Sequence, residues 1–283
     1  MDWLDKQEYP FESRFLDLDG HKLHYIDEGE GPVVLFVHGT PSWSFDFRNQ
    51  IKGLRSRFRC VALDHLGFGR SDKPEDYPYA TIRHADNLQK LVDYLGLQEY
   101  SLVLHDFGGP IGFSLALRHP ERVRKWIILN SWLWDSREEP SFQRMSRLLR
   151  SPALKFLYRY LNFSARFALP ASFGSIKLDA RIRKQYTAPF ARISERNGPI
   201  GMVRSLLQDQ EWFGSLWRQR ERMYGIPLLV IWGMKDPVIS TAYLSALKQG
   251  FPEAEVLELK NCGHFPQEEE ASAVTQALLG FLA

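Results

Sequence analysis

Three features of this 283-residue chain predict an α/β fold with a mostly parallel, doubly wound central sheet and a helical insertion. Short apolar runs alternate with helix-like stretches through the first 134 residues and again after residue 225, the pattern of strands joined by crossover helices. The stretch Leu102–Gly112, LVLHDFGGPIG, reads as a buried strand, a sharp turn and the start of a helix. Between Ser136 and Gly225 the strand-like runs cease and composition swings to 17 Lys and Arg against 7 Asp and Glu. The predicted division is a sheet domain of residues 1–134 and 226–283 with a helical cap at 135–225 over the carboxyl edge of the sheet.

Arg14–Leu18 and Leu23–Asp27 read as the first strands, and Val33–Val37 follows the turn at Gly29–Pro32. Phe58–Asp64 is the next apolar strand. After it, Ile82–Leu95 places Leu88, Leu91, Val92 and Leu95 at helical spacing. That helix leads into the Leu102 strand, and helix Phe113–His119 and strand Val123–Leu129 complete the first half. Met145–Leu161 and Ile200–Trp212 carry helical patterning in the cap. Its basic residues read as solvated helix faces, or alternatively as an attraction for anionic substrates or products. The sheet resumes at Pro227–Trp232 and ends with Val256–Leu259, before a last helix at Glu268–Leu282.

Composition narrows the class. A balance of 36 Lys and Arg against 34 Asp and Glu gives +2, which argues against a nucleic-acid partner. Cys60 and Cys262 lack metal spacing and read as free thiols in a reducing compartment. An acidic start, MDWLDKQEYPF, and the lack of a long apolar run set the expectation of a cytoplasmic protein with no membrane partner, monomeric or a small homo-oligomer.

The chemistry starts at Asp106. Strand, tight turn and helix are the setting of a nucleophile elbow, usually G-x-S-x-G; here Leu104 replaces the first glycine and Asp106 the serine. A carboxylate is ionised at pH 7 and can displace a leaving group from carbon without a base. A helix N-cap is the plainer role for an Asp before a helix. Two later residues decide between them: Asp236 follows the LLVIW strand and His264 follows the final strand, in the order nucleophile, acid, histidine. HGTP at His38–Pro41, just past a buried strand, lies where a backbone N–H completes an oxyanion hole.

With these residues in hand, the chain resembles the haloalkane dehalogenases and their Asp-nucleophile relatives in the α/β-hydrolase superfamily. The blocks that carry the resemblance are YPFESRFLDLDGHKLHYIDEG, HGTPSWSF, DHLGFGRSDKP, HDFGGPIG, GMKDPVIS and CGHFPQE; the cap matches poorly. The resemblance implies that Asp106 forms an alkyl ester, that His264 activates the water that cleaves it, and that Asp236 orients the imidazole. It further implies an oxyanion hole from the backbone N–H groups of Thr40 and Phe107, and no cofactor or metal. Asn130 stands where some relatives carry the orienting acid, which favours Asp236, with Asp135 as the alternative.

Two departures qualify the activity. The resemblance implies a Trp after the nucleophile, whose indole N–H binds halide, but Phe107 has no donor. A second donor would be an Asn in the HG loop, where Thr40 stands, or a Trp in the cap, where Phe173 lies nearest the expected place and Trp212 and Trp217 fall late. The expected pocket takes a small apolar molecule and is lined by Trp43, Phe107, Trp132, Trp134 and Phe173. An epoxide hydrolase with Tyr158, Tyr160 or Tyr186 as ring-opening acid, a β-lactone-cleaving relative, and a small-molecule receptor are the alternatives.

Overall fold

The computed structural model describes residues 3–283. Eight strands form one sheet in the order β1-β2-β4-β3-β5-β6-β7-β8. They are β1 Arg14–Leu18, β2 His21–Glu28, β3 Val33–Val37, β4 Arg59–Leu63, β5 Tyr100–Asp106, β6 Val123–Ser131, β7 Leu228–Gly233 and β8 Glu255–Leu259. The β1–β2 and β2–β4 pairs are antiparallel, and all pairs from β4 to β8 are parallel.

The apolar runs alternate between two buried faces, as period-2 side chains must. Leu35, Val37, Leu102, Leu104, Ile128 and Val230 pack in one core with residues of α2 (Thr81–Tyr94) and α3 (Gly108–Arg118). Val34, Phe36, Val103, Ile127, Leu129 and Ile231 pack in the other, against α1 (Arg48–Leu54) and the carboxyl-terminal helix. Each such side chain taken from water contributes roughly 1.5–3 kcal/mol. Burial on both faces is why these strands read as continuous apolar runs.

Between β6 and β7 the chain is helical: α4 Pro140–Leu149, α5 Pro152–Leu161, α6 Leu169–Ala171, α7 Ala180–Thr187, α8 Asn197–Gln208 and α9 Gln210–Arg218. After β7 come α10 Thr241–Gly250, α11 Pro266–Glu269 and α12 Ala271–Leu282.

Three single helices expected from the sequence are each two. Pro152 ends the Met145–Leu161 run by barring Ser151 from helical geometry, ψ 131°. Ile200–Trp212 breaks at Asp209, whose carboxylate accepts the Thr81 amide at 3.3 Å and the Ser205 hydroxyl. Glu268–Leu282 breaks at Glu270, just past Glu269, whose carboxylate is drawn to the amides of Gly263, Gly174 and Ser175. In all three, a contact from elsewhere in the fold or a proline outweighs a continuous apolar stripe. No helix among the described residues is long and apolar enough to cross a membrane.

Candidate active site

β5 delivers Asp106 at the carboxyl end of the sheet, immediately before α3. Its backbone is left-handed, φ 52°, a conformation that costs a non-glycine residue on the order of 1–3 kcal/mol. The surroundings hold it there. The Ser131 hydroxyl donates to the Asp106 carbonyl at 2.5 Å, and a side chain at Gly39 would collide with the Asp106 carboxylate. Gly108 lets the start of α3 lie against the Val37 carbonyl on β3, so the amino-terminal end of that helix faces the carboxylate.

The two carboxylate oxygens have different partners. Oδ1 accepts the Thr40 backbone N–H at 2.8 Å, while Oδ2 lies 3.4 Å from His264 Nε2. No hydrogen bond runs from the Phe107 amide to either oxygen in this state. His264 turns its other nitrogen to Asp236: Nδ1 and Oδ2 are 2.7 Å apart, and Nδ1 is the donor if Nε2 serves as the base.

Asp236 is itself anchored on all sides. Oδ1 accepts the amides of Val238 and Ile239 at 2.7 and 3.0 Å, and Asn130 Nδ2 donates to Oδ2 at 2.8 Å. Asn130, the residue standing at the alternative acid position, thus holds the acid in place. The carboxylate of Asp135, the alternative acid, is instead paired with the Arg137 guanidinium.

Two further supports were not recognised from the sequence. The His264 amide donates to the Ser172 carbonyl at 2.8 Å, tying the loop to the cap. On the far side, His105 Nε2 sits 2.8 Å from the His264 carbonyl, and its Nδ1 lies 3.1 Å from the fully buried Asp46. Strand alternation turns His105 away from the pocket. The HD dipeptide was visible in the sequence, but which buried acid it would meet was not.

Electrostatics follow from this geometry. Burial opposes ionisation of Asp106, yet the bond and charge of His264, with His105 and the Thr40 amide, hold its carboxyl below the usual range. Burial likewise opposes a charge on His264, but Asp236 and Asp106 outweigh it and raise the imidazole to about 10. The resting site is a buried ion pair, with His264 protonated at neutral pH.

Above the carboxylate lies a cavity of about 130 Å³, walled by Phe107, Trp132 and Phe265 from the sheet side and by Met145, Leu149, Val203 and Leu206 from the cap. Three expected wall residues lie elsewhere. Trp43 is fully buried beneath the loop, where its indole donates to the Gln185 carbonyl at 2.9 Å. Trp134 stacks behind Tyr243, which takes the place in the wall, and Phe173 stacks on the outer side of Phe265.

Of the cap tyrosines, Tyr158 lines the cavity, with burial raising its hydroxyl to about 12. Tyr160 is 51% exposed, and Tyr186 donates to Glu268 at 2.7 Å in the core. The Trp132 indole packs edge-on to Phe107 with ring centroids 4.9 Å apart, and its buried N–H has no hydrogen-bond partner.

A mostly parallel sheet with a carboxylate elbow at its carboxyl edge, faced by a histidine and a second acid from later loops, defines a hydrolase of the α/β-hydrolase class. The chain belongs to that family: the model described as "alpha/beta hydrolase fold" matches residues 32–271. Within it, this is a haloalkane dehalogenase-like hydrolase, 35% identical over 277 residues to "Haloalkane dehalogenase 2" of Mycobacterium tuberculosis, covering 97% of this chain and 96% of that one. It is also 33% identical to a cis-3-alkyl-4-alkyloxetan-2-one decarboxylase of Shewanella oneidensis, covering 96% and 89% of the two chains. Among solved structures, the haloalkane dehalogenase DbeA from Bradyrhizobium elkani superposes with a TM-score of 0.84 at 25% identity, covering 95% of this chain and 97% of that one.

Proposed function

We propose that this chain hydrolyses a carbon–halogen bond through a covalent ester on Asp106, with residues 135–225 acting as a cap that closes the pocket. The observation that carries the reading is the divided carboxylate: Oδ1 is fixed on the Thr40 amide, and Oδ2 is turned toward His264. In the first step Oδ2 attacks the halogen-bearing carbon, the carbon–oxygen bond forms as the carbon–halogen bond breaks, and halide leaves with the bonding pair. Oδ1 becomes the carbonyl oxygen of the ester, already seated on a backbone N–H.

The same step activates the base. While Asp106 is charged, it keeps His264 protonated; once it is an ester, that charge is gone and the imidazole loses a main reason for its raised pKa. His264 then releases its proton to solvent, and the neutral imidazole removes a proton from water as the water attacks Cγ of Asp106. The ester opens to alcohol and carboxylate, and the imidazolium formed, held between Asp236 and the regenerated Asp106 carboxylate, restores the resting ion pair.

The test is the intact mass of His264→Ala after incubation with 1-bromohexane, 1,2-epoxyhexane or buffer. A hexyl adduct on Asp106 with one equivalent of bromide released is the expected result. An adduct from the epoxide alone would replace the reading with epoxide hydrolysis.

A second reading, β-lactone opening, is favoured by Phe107. Attack of Asp106 on the alkyl carbon of a lactone leaves the departing carboxylate attached to the same molecule, so no halide donor is required. The 33% identity to an oxetanone decarboxylase supports including a β-lactone in the same assay.

A further inference from the structure

Outside the catalytic pocket, a second and larger cleft of about 530 Å³ opens between α4, α5 and α8. The two cavities share a partition of three side chains, Leu149, Tyr158 and Val203. Beyond it the outer cleft has an apolar lining that includes Leu154 and Leu207, and a rim of four cations, Arg150, Lys155, Arg159 and Arg204. No carboxylate lines it.

These cations are also uncompensated. Some arginines elsewhere on the cap do pair with acids, as Arg218 with Glu211 at 2.9 Å and Arg137 with Asp135. Around the cleft the partners are neutral: Arg159 reaches the Asn197 side-chain oxygen, and Arg204 reaches the Pro78 carbonyl at 3.2 Å. Among the described residues, none of the four has a carboxylate within ion-pair distance.

Size makes the outer cleft relevant to substrate choice. At about 130 Å³ the inner pocket is comparable to an apolar cavity of about 150 Å³ that takes up a single benzene. It holds the reacting carbon and a short apolar segment, so the rest of a longer substrate has to extend past the partition.

We propose that the outer cleft binds an anionic end group of the substrate, and that the preferred substrates are alkyl chains whose reactive carbon sits at Asp106 and whose far end is a carboxylate held by Arg150, Lys155, Arg159 and Arg204. Arginine suits this role because its planar fork matches a carboxylate. The proposal rests on the inner pocket being the reaction site, but it is tested by binding, without turnover.

Calorimetric titration at low ionic strength compares octanoate, octan-1-ol and acetate on the wild-type protein and on Arg150→Gln/Lys155→Gln/Arg204→Gln, whose thermal unfolding verifies the fold. Octanoate should bind about tenfold more tightly than octan-1-ol, and the advantage should shrink in 0.5 M NaCl. Acetate should not bind measurably. The triple variant should lose the advantage for octanoate and retain its affinity for octan-1-ol.

Equal affinity for acid and alcohol, or a variant that weakens both alike, overturns the proposal. So does binding to phosphatidylglycerol vesicles without binding of free octanoate, which would make the basic rim a membrane contact. Octanoate binding as described, with no adduct from any brominated substrate, would instead refute the reaction assigned to Asp106 and leave the cleft assignment standing.

Discussion

The two walls of the inner pocket are built on opposite terms. On the sheet side, Asp236 and Asp106 hold most of their carboxylate oxygens in specific bonds from Val238, Ile239, Asn130, Thr40 and His264. The cap wall is mostly apolar, with Met145, Leu149, Val203 and Leu206 prominent and Tyr158, Ser136, Ser164 and Ser172 as its polar members. Bonded groups cannot shift without leaving a buried polar atom unpaired, a cost of about 1–3 kcal/mol each, whereas apolar side chains tolerate exchange of similar volumes. The reaction is therefore set by the sheet, and the choice of substrate by the cap. Substitutions on the two walls should differ accordingly.

The largest effect is expected at Asp106. Asp106→Ala should lower turnover by roughly 10⁴-fold or more while circular dichroism and thermal unfolding remain native-like. Retained activity on any substrate would detach the chemistry from the sheet wall.

Next comes the charge pair beneath it. The folded protein raises His264 from an ordinary 6.5 to about 10. It therefore binds more protons than the unfolded chain across that interval, and this stability is complete below about pH 6.5 and lost as pH rises through about 10. The melting temperature of the substrate-free wild type should fall by several degrees between pH 7 and 9.5. His264→Ala should remove most of that slope; an unchanged slope would place the titrating group elsewhere.

Phe107→Trp is a smaller change at the seam between the walls. It adds an indole donor beside Trp132 and should raise bromoalkane kcat/KM by roughly tenfold. An unchanged rate would mean that halide departure is not limited by a missing donor. The smallest effect is expected on the cap: Tyr158→Phe should leave bromoalkane kcat/KM within about threefold, while a ring-opening acid would cost about 100-fold or more on an epoxide.

Legibility in the sequence followed the same divide. Runs such as VVLFV and LLVIW are buried on both faces, so their composition announces strands, and β3 and β7 lie where the sequence predicted them. Asp106, Asp236 and His264 were found together because each follows a strand and the fold brings strand ends to one edge. Expectations for the pocket wall fared differently. Trp43 and Trp134, tryptophans of the sheet domain, and Phe173, nearest the expected place in the cap, are packed behind or beneath the wall while Trp132 lines it, since an aromatic ring fills a core as readily as it lines a pocket. Tyr243 and the Ser172 carbonyl carry no local signal, because their roles depend on segments far away in the chain meeting in space.

That long-range meeting also determines when the site exists. His264 is placed by the Ser172 carbonyl from the cap and by His105, 159 residues earlier in the chain. Contacts of such separation close late in folding, after local helices and neighbouring strands have formed. During synthesis the elbow at Asp106 leaves the ribosome long before the segment bearing its histidine. A refolding experiment should therefore see secondary structure return before activity, and the lag between them times the docking of the final loop.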